Sequence, residues 1–173
     1  MKAERVVSLF NATFLSSHHT QLVGGADEPL YLGHEDGFSR IYFCYDYVSS
    51  ALHEIAHWCL AGSSRRSLDD YGYWYQGQRD VCQQNKFEQV EVAPQALEWI
   101  FSEALGIGFR VSADNLDLAD YDTTQFRRAV RDAAQSRIQA GLKGRAATFA
   151  SVLAKEGVGA HYDKLDIYQR LPE

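Results

Sequence analysis

The stretch His53-Glu54-Ile55-Ala56-His57 constrains this chain more than any other. On an α-helix, residues four apart share a face, so His53 and His57 present two imidazoles to one metal ion, with Glu54 beside the first. At about 100° per residue, Ser49, Ser50, His53, Glu54 and His57 fall on one arc. Val48, Leu52, Ile55, Ala56 and Cys59 gather on the other side. The polar arc carries no Lys, Arg, Asp or Gln, which makes it a poor solvent face. An amphipathic helix with two satisfied histidines is the plain alternative, because so short a motif also recurs by chance.

At 173 residues the chain fits one domain, 1–173, with a hydrophobic core that needs no staples. A net charge of −6 gives no reason to expect nucleic acid as the main partner. Cys44, Cys59 and Cys82 form no CxxC pair, and buried thiols are expected for the first two. The N-terminus lacks the apolar core of a signal peptide, and no run approaches the roughly 18 apolar residues of a membrane span. A cytoplasmic, reducing setting is expected.

Val6, Leu9, Phe10 and Phe14 recur at helical spacing, so a helix is expected from about Ala3 to Leu15. Gly24 to Pro29 reads as a turn, Leu30-Tyr31-Leu32 as a short extended piece, and Arg40 to Tyr45 as a buried strand. Gly62 is expected to cap the HExxH helix. Tyr71-Gly72-Tyr73-Trp74-Tyr75 is equally a core strand or a pocket wall. Asn85 with Glu88 approximates a capping box, opening a helix that Pro94 must kink or restart. Phe109-Arg110-Val111 reads as a short strand, and helices are expected over Thr124–Ala140 and about Ala146–Lys155. The sum is an α+β chain: a helix-rich domain with a small sheet and a metalloprotease-like (zincin-like) core around the HExxH helix.

Two histidines do not complete a catalytic site, which takes a third protein ligand and leaves positions open. Glu88, Glu91, Glu98, Asp80 and His161 are the candidates. On the helix from Asn85, Glu91 and Glu98 lie at the edge of the apolar face, whereas Glu88 points further towards solvent. A carboxylate at the border of a buried face needs a partner. Glu91 is preferred, although periodicity barely separates it from Glu98.

Four blocks of the chain, taken together, resemble the bacterial elongation factor P hydroxylase family. They are Asp27–Leu32, His53–Gly62, Tyr71–Tyr75 and Phe87–Leu97, with Asp114-Asn115-Leu116 as a smaller addition. The similarity runs from about Val6 to Gln139. The resemblance implies a cytosolic non-haem enzyme of the 2-His-1-carboxylate type. It would hydroxylate a lysine of translation elongation factor P after β-lysine has been attached there. It also implies that His53, His57 and Glu91 are the metal ligands, with Fe(II) as the metal and molecular oxygen as co-substrate.

Two imidazoles and one carboxylate on one face suit Fe(II) oxygenases. They suit Zn(II) equally, and HExxH with a later Glu is also the pattern of zinc peptidases, where Glu54 acts as general base. A non-catalytic module with a closed structural zinc is the third reading. In a hydroxylase, Glu54 would orient water, relay protons, attract the lysine ammonium or steady a ligand. Tyr73, Trp74 and Tyr75, with Asp69 or Asp70, would cup a cationic side chain. The sequence carries no 2-oxoglutarate signature, and spacing alone does not separate the chemistries.

Overall fold

A computed structural model of the protein describes residues 2–35, 37–72, 81–113, 122–157, 159 and 161–173. The chain opens with α1 (Ala3–His18), whose Val6, Phe10 and Phe14 are buried one turn apart, as their spacing predicts. Three strands follow, β1 (Thr20–Ala26), β2 (Leu30–Glu35) and β3 (Phe38–Cys44). They form a mixed sheet in the order β1-β3-β2, with β1 parallel and β2 antiparallel to β3. Along β3, Ser39, Ile41 and Phe43 turn inward and alternate with half-exposed neighbours, the period of a one-sided strand.

β1 lies partly where a turn is expected. Gly24 and Gly25 belong to the strand: the β1–β3 register shifts between Val23 and Ala26, and Gly25 takes φ +86° there. A Cβ on Gly24 would sit 2.8 Å from the Phe43 ring, so the glycine lets β1 pass over a core aromatic. The glycine pair makes a bulge instead of a reversal.

The HExxH helix is α2 (Val48–Leu60), followed by the one-turn α3 (Ser63–Arg66) and a 3-10 turn at Asp69–Gly72. Next come α4 (Val81–Leu105), α5 (Thr124–Ala140) and α6 (Gly144–Glu156), then a 3-10 turn at Leu165–Gln169. The helix-rich α+β expectation holds. Three local expectations do not. α4 begins at Val81, so Asn85 lies inside it and is not the residue that opens it, while of the two outcomes allowed for Pro94 a restart is not seen. Glu88 is buried beside Gln84 instead of facing solvent. Phe109–Val111 is irregular backbone, with the Val111 N–H bonded to the C-terminal Glu173.

Two aromatic clusters flank α4. On one side Leu97 and Phe101 join Phe10, Phe14, Trp58 and Phe149 from α1, α2 and α6. On the other, Trp99 and Ile100 pack with Phe109, Phe126, Val130 and Tyr168. α4 is therefore covered almost all round beyond Pro94, which is why its sequence lacks a clean apolar stripe. Carboxylates on such a helix are forced to find partners inside the protein. Of the thiols, Cys59 is half-buried and its burial pushes it up to about 12, an inert core cysteine. Among the described residues, no helix is long and apolar enough to cross a membrane.

Candidate metal centre

α2 is fixed at both ends. At its start, the Ser50 hydroxyl accepts the Cys44 N–H at 3.0 Å, tying the helix to the end of β3. Its floor is Ala51, Leu52, Ile55, Ala56 and Trp58, all fully buried. At its end Gly62 is extended, with φ −66° and ψ 168°, and supplies no left-handed cap. The terminal carbonyls are taken by arginines instead. Arg145 Nη2 donates to the Trp58, Cys59 and Ala61 oxygens at 3.0, 3.1 and 2.8 Å, and Arg66 Nη1 donates to Ala61 O at 2.6 Å. The Arg145 guanidinium also lies 4.7 Å from the Trp58 ring centroid. With floor and ends held, His53, Glu54 and His57 are left half-buried on the remaining face.

α4 packs across that face and delivers two carboxylates. Glu91 Oε2 is 3.3 Å from His53 Nε2, and Glu91 Oε1 is 3.4 Å from His57 Nε2. The two Nε2 atoms stand 3.1 Å apart. Two bare nitrogen lone pairs at that distance repel, so the pair needs a proton or a cation between them. Glu91 is 3% exposed, and its Oε2 has no hydrogen-bond partner among the described residues. An ionised, buried oxygen aimed at two imidazole nitrogens is the donor set a divalent cation completes. The group His53, His57 and Glu91 could hold such an ion, each offering one ligand atom within 4.8 Å of the others.

The electrostatics agree. Burial pushes the Glu91 carboxyl up, but polar contact with the His53 and His57 rings outweighs it and holds the group well below the usual carboxylate range. Burial likewise lowers His53, and Glu91 and Glu98 outweigh that to raise it well above an ordinary imidazole. Glu98 stands behind the site, with Oε2 2.9 Å from His53 Nδ1. It contacts the far side of the ring, so the sequence's near-tie between the two glutamates has a structural answer: Glu91 faces the converging nitrogens and Glu98 faces away. With the Nδ1 proton held by the Glu98 carboxylate, the proton on Nε2, facing Glu91, is the one a metal ion would displace.

Glu54 sits half-buried beside the group, its carboxyl raised by burial that His53 and His57 only partly offset. Of the other candidates, His161 is exposed and outside the cluster. Asp80, the aromatic run Tyr73-Trp74-Tyr75 and Asp114-Asn115-Leu116 fall outside the described residues. Asp69 and Asp70 have structural work: their Oδ1 atoms accept the Gly33 and Tyr31 N–H groups, each at 2.9 Å.

An open cleft of about 500 Å³ runs from His57 between the end of α2 and the Val90–Pro94 turn of α4. Tyr71, the first residue of the run read from the sequence as a core strand or a pocket wall, lines one side of it.

Fold and site together define an α+β protein with a candidate mononuclear metal centre between two facing helices. Residues 9–165 match the family described as elongation factor P hydroxylase (EpmC). Over 155 residues the chain is 45% identical to the elongation factor P lysine hydroxylase of Haemophilus influenzae, an alignment covering 88% of this chain and 87% of that protein. This chain belongs to the elongation factor P hydroxylase family. The match extends to residue 165, beyond the stretch in which the motifs alone carry the likeness.

Proposed function

We propose that this protein is an iron-dependent hydroxylase of translation elongation factor P, acting in the cytoplasm on the lysine that carries β-lysine. The observation that carries the reading is the convergence of His53 Nε2, His57 Nε2 and the Glu91 carboxylate in a member of this family. Two imidazoles and one carboxylate leave part of the coordination sphere free, the set suited to non-haem Fe(II). When bound there, Fe(II) would supply the activation of molecular oxygen that C–H hydroxylation requires.

The residues of the chain divide the remaining work. His53, His57 and Glu91 hold the metal, and Glu98 keeps the His53 lone pair turned inward. Glu54, raised by burial and next to the first ligand, takes or returns a proton at its carboxylate. The cleft beside His57 receives the methylenes of the lysine side chain against Leu60, Val90 and Pro94, which exclude water from them. We include in the proposal that residues 1–173 act as one domain. Its HExxH helix lies beside the sheet, with the third ligand returned by a later helix, a metalloprotease-like plan. Inserting one oxygen atom of O2 into the C–H bond leaves the other to be reduced to water, so two electrons would come from a co-substrate, 2-oxoglutarate or another two-electron donor.

The test is intact-mass analysis of β-lysylated elongation factor P after anaerobic loading of the enzyme with Fe(II) and exposure to air, run with 2-oxoglutarate and, separately, with a chemical two-electron reductant. The expected product carries one added oxygen atom, and His57→Ala abolishes it. No mass gain, together with oxygen-independent cleavage of peptides by the Zn(II) form, would replace this reading with that of a zinc peptidase.

A further inference from the structure

Where the parallel strands β1 and β3 end, the fold carries a second recess that the metal centre does not use. It is a pocket of about 540 Å³ against the first turns of α1, with Ala3, Val7 and Phe43 as its apolar lining. The glycine pair of the β1 bulge keeps it open. A Cβ on Gly24 would collide with the Phe43 ring, and one on Gly25 would meet nothing within 4 Å.

Two tyrosines stand in water beside this pocket. Tyr45 lines it and is 52% exposed, Tyr47 is 57% exposed, and their rings meet edge-on with centroids 5.6 Å apart. The backbone of Tyr45 is left-handed at φ 49°, which a bulky residue adopts only where its surroundings impose it. Here the bulge imposes it: the Tyr45 N–H donates to Ala26 O at 2.8 Å, and Tyr45 O accepts the Gly25 N–H at 2.7 Å. One exposed aromatic needs no explanation, but a pair at the rim of an apolar pocket is the make-up of a docking site.

The charges around it select the occupant. Glu4 and Asp46 line the pocket, and Asp27 and Glu28 are exposed in the adjoining turn, where Asp27 O lies 3.5 Å from Cys44 Sγ. Among the described residues no Lys, Arg or His lines it. Of the cations nearest in sequence, Lys2 lies outside the lining and Arg5 is paired with Glu156 at 2.7 Å. Apolar walls edged by aromatic rings and carboxylates match a lysine or arginine side chain, with its methylenes inside and its charge at the rim. The chemistry is near as well. Tyr47 is the N-cap of α2, and His53 follows roughly 9 Å along the axis at about 1.5 Å per residue.

We propose that this pocket is a docking site for the protein substrate, receiving a lysine or arginine side chain of elongation factor P other than the one that is modified. The inference rests on the reading that elongation factor P is the substrate. It adds a second point of contact that acts on binding and not on the chemical step.

The test measures anaerobic binding of fluorescently labelled, β-lysylated elongation factor P to the Fe(II)-loaded protein, together with steady-state hydroxylation. Wild type is compared with Tyr45→Asn, Glu4→Gln/Asp46→Asn and Phe38→Ser. Asparagine tolerates left-handed backbone, so Tyr45→Asn removes the ring without adding strain. It should weaken binding about five- to tenfold. The double variant should weaken it about fivefold at low salt and flatten its salt dependence. Both should raise KM by the same factor with kcat, metal content and Tm unchanged. Phe38 opens β3 and is 39% exposed, away from the pocket lining, so Phe38→Ser should bind as wild type does. Unchanged affinity in both pocket variants, or an equal loss in Phe38→Ser, would overturn the proposal while leaving the hydroxylase reading intact. Failure of wild type to bind and hydroxylate elongation factor P would overturn that reading and this proposal with it.

Discussion

Replacing Glu98 separates a residue that supports a metal ligand from one that is a ligand. In the structure its Oε2 lies 2.9 Å from His53 Nδ1, on the side of the ring away from Glu91. A hydrogen bond to an ionised group contributes about 1.5–3 kcal/mol and a neutral one about 0.5–1.5 kcal/mol. Glu98→Gln keeps an acceptor of the same shape but loses the charge, a difference of about 1–1.5 kcal/mol, or about a five- to tenfold weaker metal complex. Glu98→Ala loses the whole contact and frees the ring to rotate, for a loss of about 10- to 100-fold. Competition against a chromophoric chelator measures both, with His57→Ala and Glu91→Ala as references that should lose the metal outright. Two results would refute the reasoning. If both Glu98 variants bind metal within about twofold of wild type, the contact does not hold His53 in place. If Glu98→Ala matches Glu91→Ala, Glu98 is itself a ligand.

The pH dependence has two opposed parts. His53 in the metal-free protein lies above its ordinary value of 6.5, so its share of stability is complete below that pH and is lost as pH rises through the raised value. Glu91 lies below its ordinary 4.5, so its share is present above that pH and is lost only as pH falls through the depressed value. As far as these two groups go, urea melts of the metal-free protein should show greatest stability between 4.5 and 6.5. Metal must displace the His53 proton, so affinity should climb with pH until the raised His53 value is passed and then level off; a flat profile would contradict the protonated resting state. Arg145→Ala strips the Trp58 and Cys59 carbonyls of their arginine donor and leaves Ala61 O to Arg66 alone. It should lower unfolding free energy by about 2–3 kcal/mol in denaturant melts, and a loss under about 0.5 kcal/mol would show that water replaces the guanidinium.

The sequence exposes the site better than the fold that builds it. His53 and His57 are visible because side chains that converge from one helix must repeat at one turn, a spacing written directly in the chain. Glu91 is reached by a weaker argument, the burial of its helix face, and that argument nearly favoured Glu98. The structure separates the two because they contact opposite sides of one imidazole, which periodicity does not encode. β1 is obscured because Gly24-Gly25 signals a turn, whereas Phe43 from another strand requires glycine at that point. The end of α2 is misread for a similar reason: Gly62 is a local signal, while the cap is Arg145 from a helix far along the chain. Tyr71 is legible in part, since its aromatic run reads as a core strand or a pocket wall and the cleft is lined by it. Each miss is a long-range contact overriding a local rule.

The most direct measurement is X-ray absorption at the metal edge of the Fe(II)-loaded protein, with and without azide. The account predicts two imidazole rings and one carboxylate around each iron, with the remaining positions held by water oxygens, one of which azide displaces. A closed set of four protein ligands, a sulfur scatterer, or a single imidazole would contradict it.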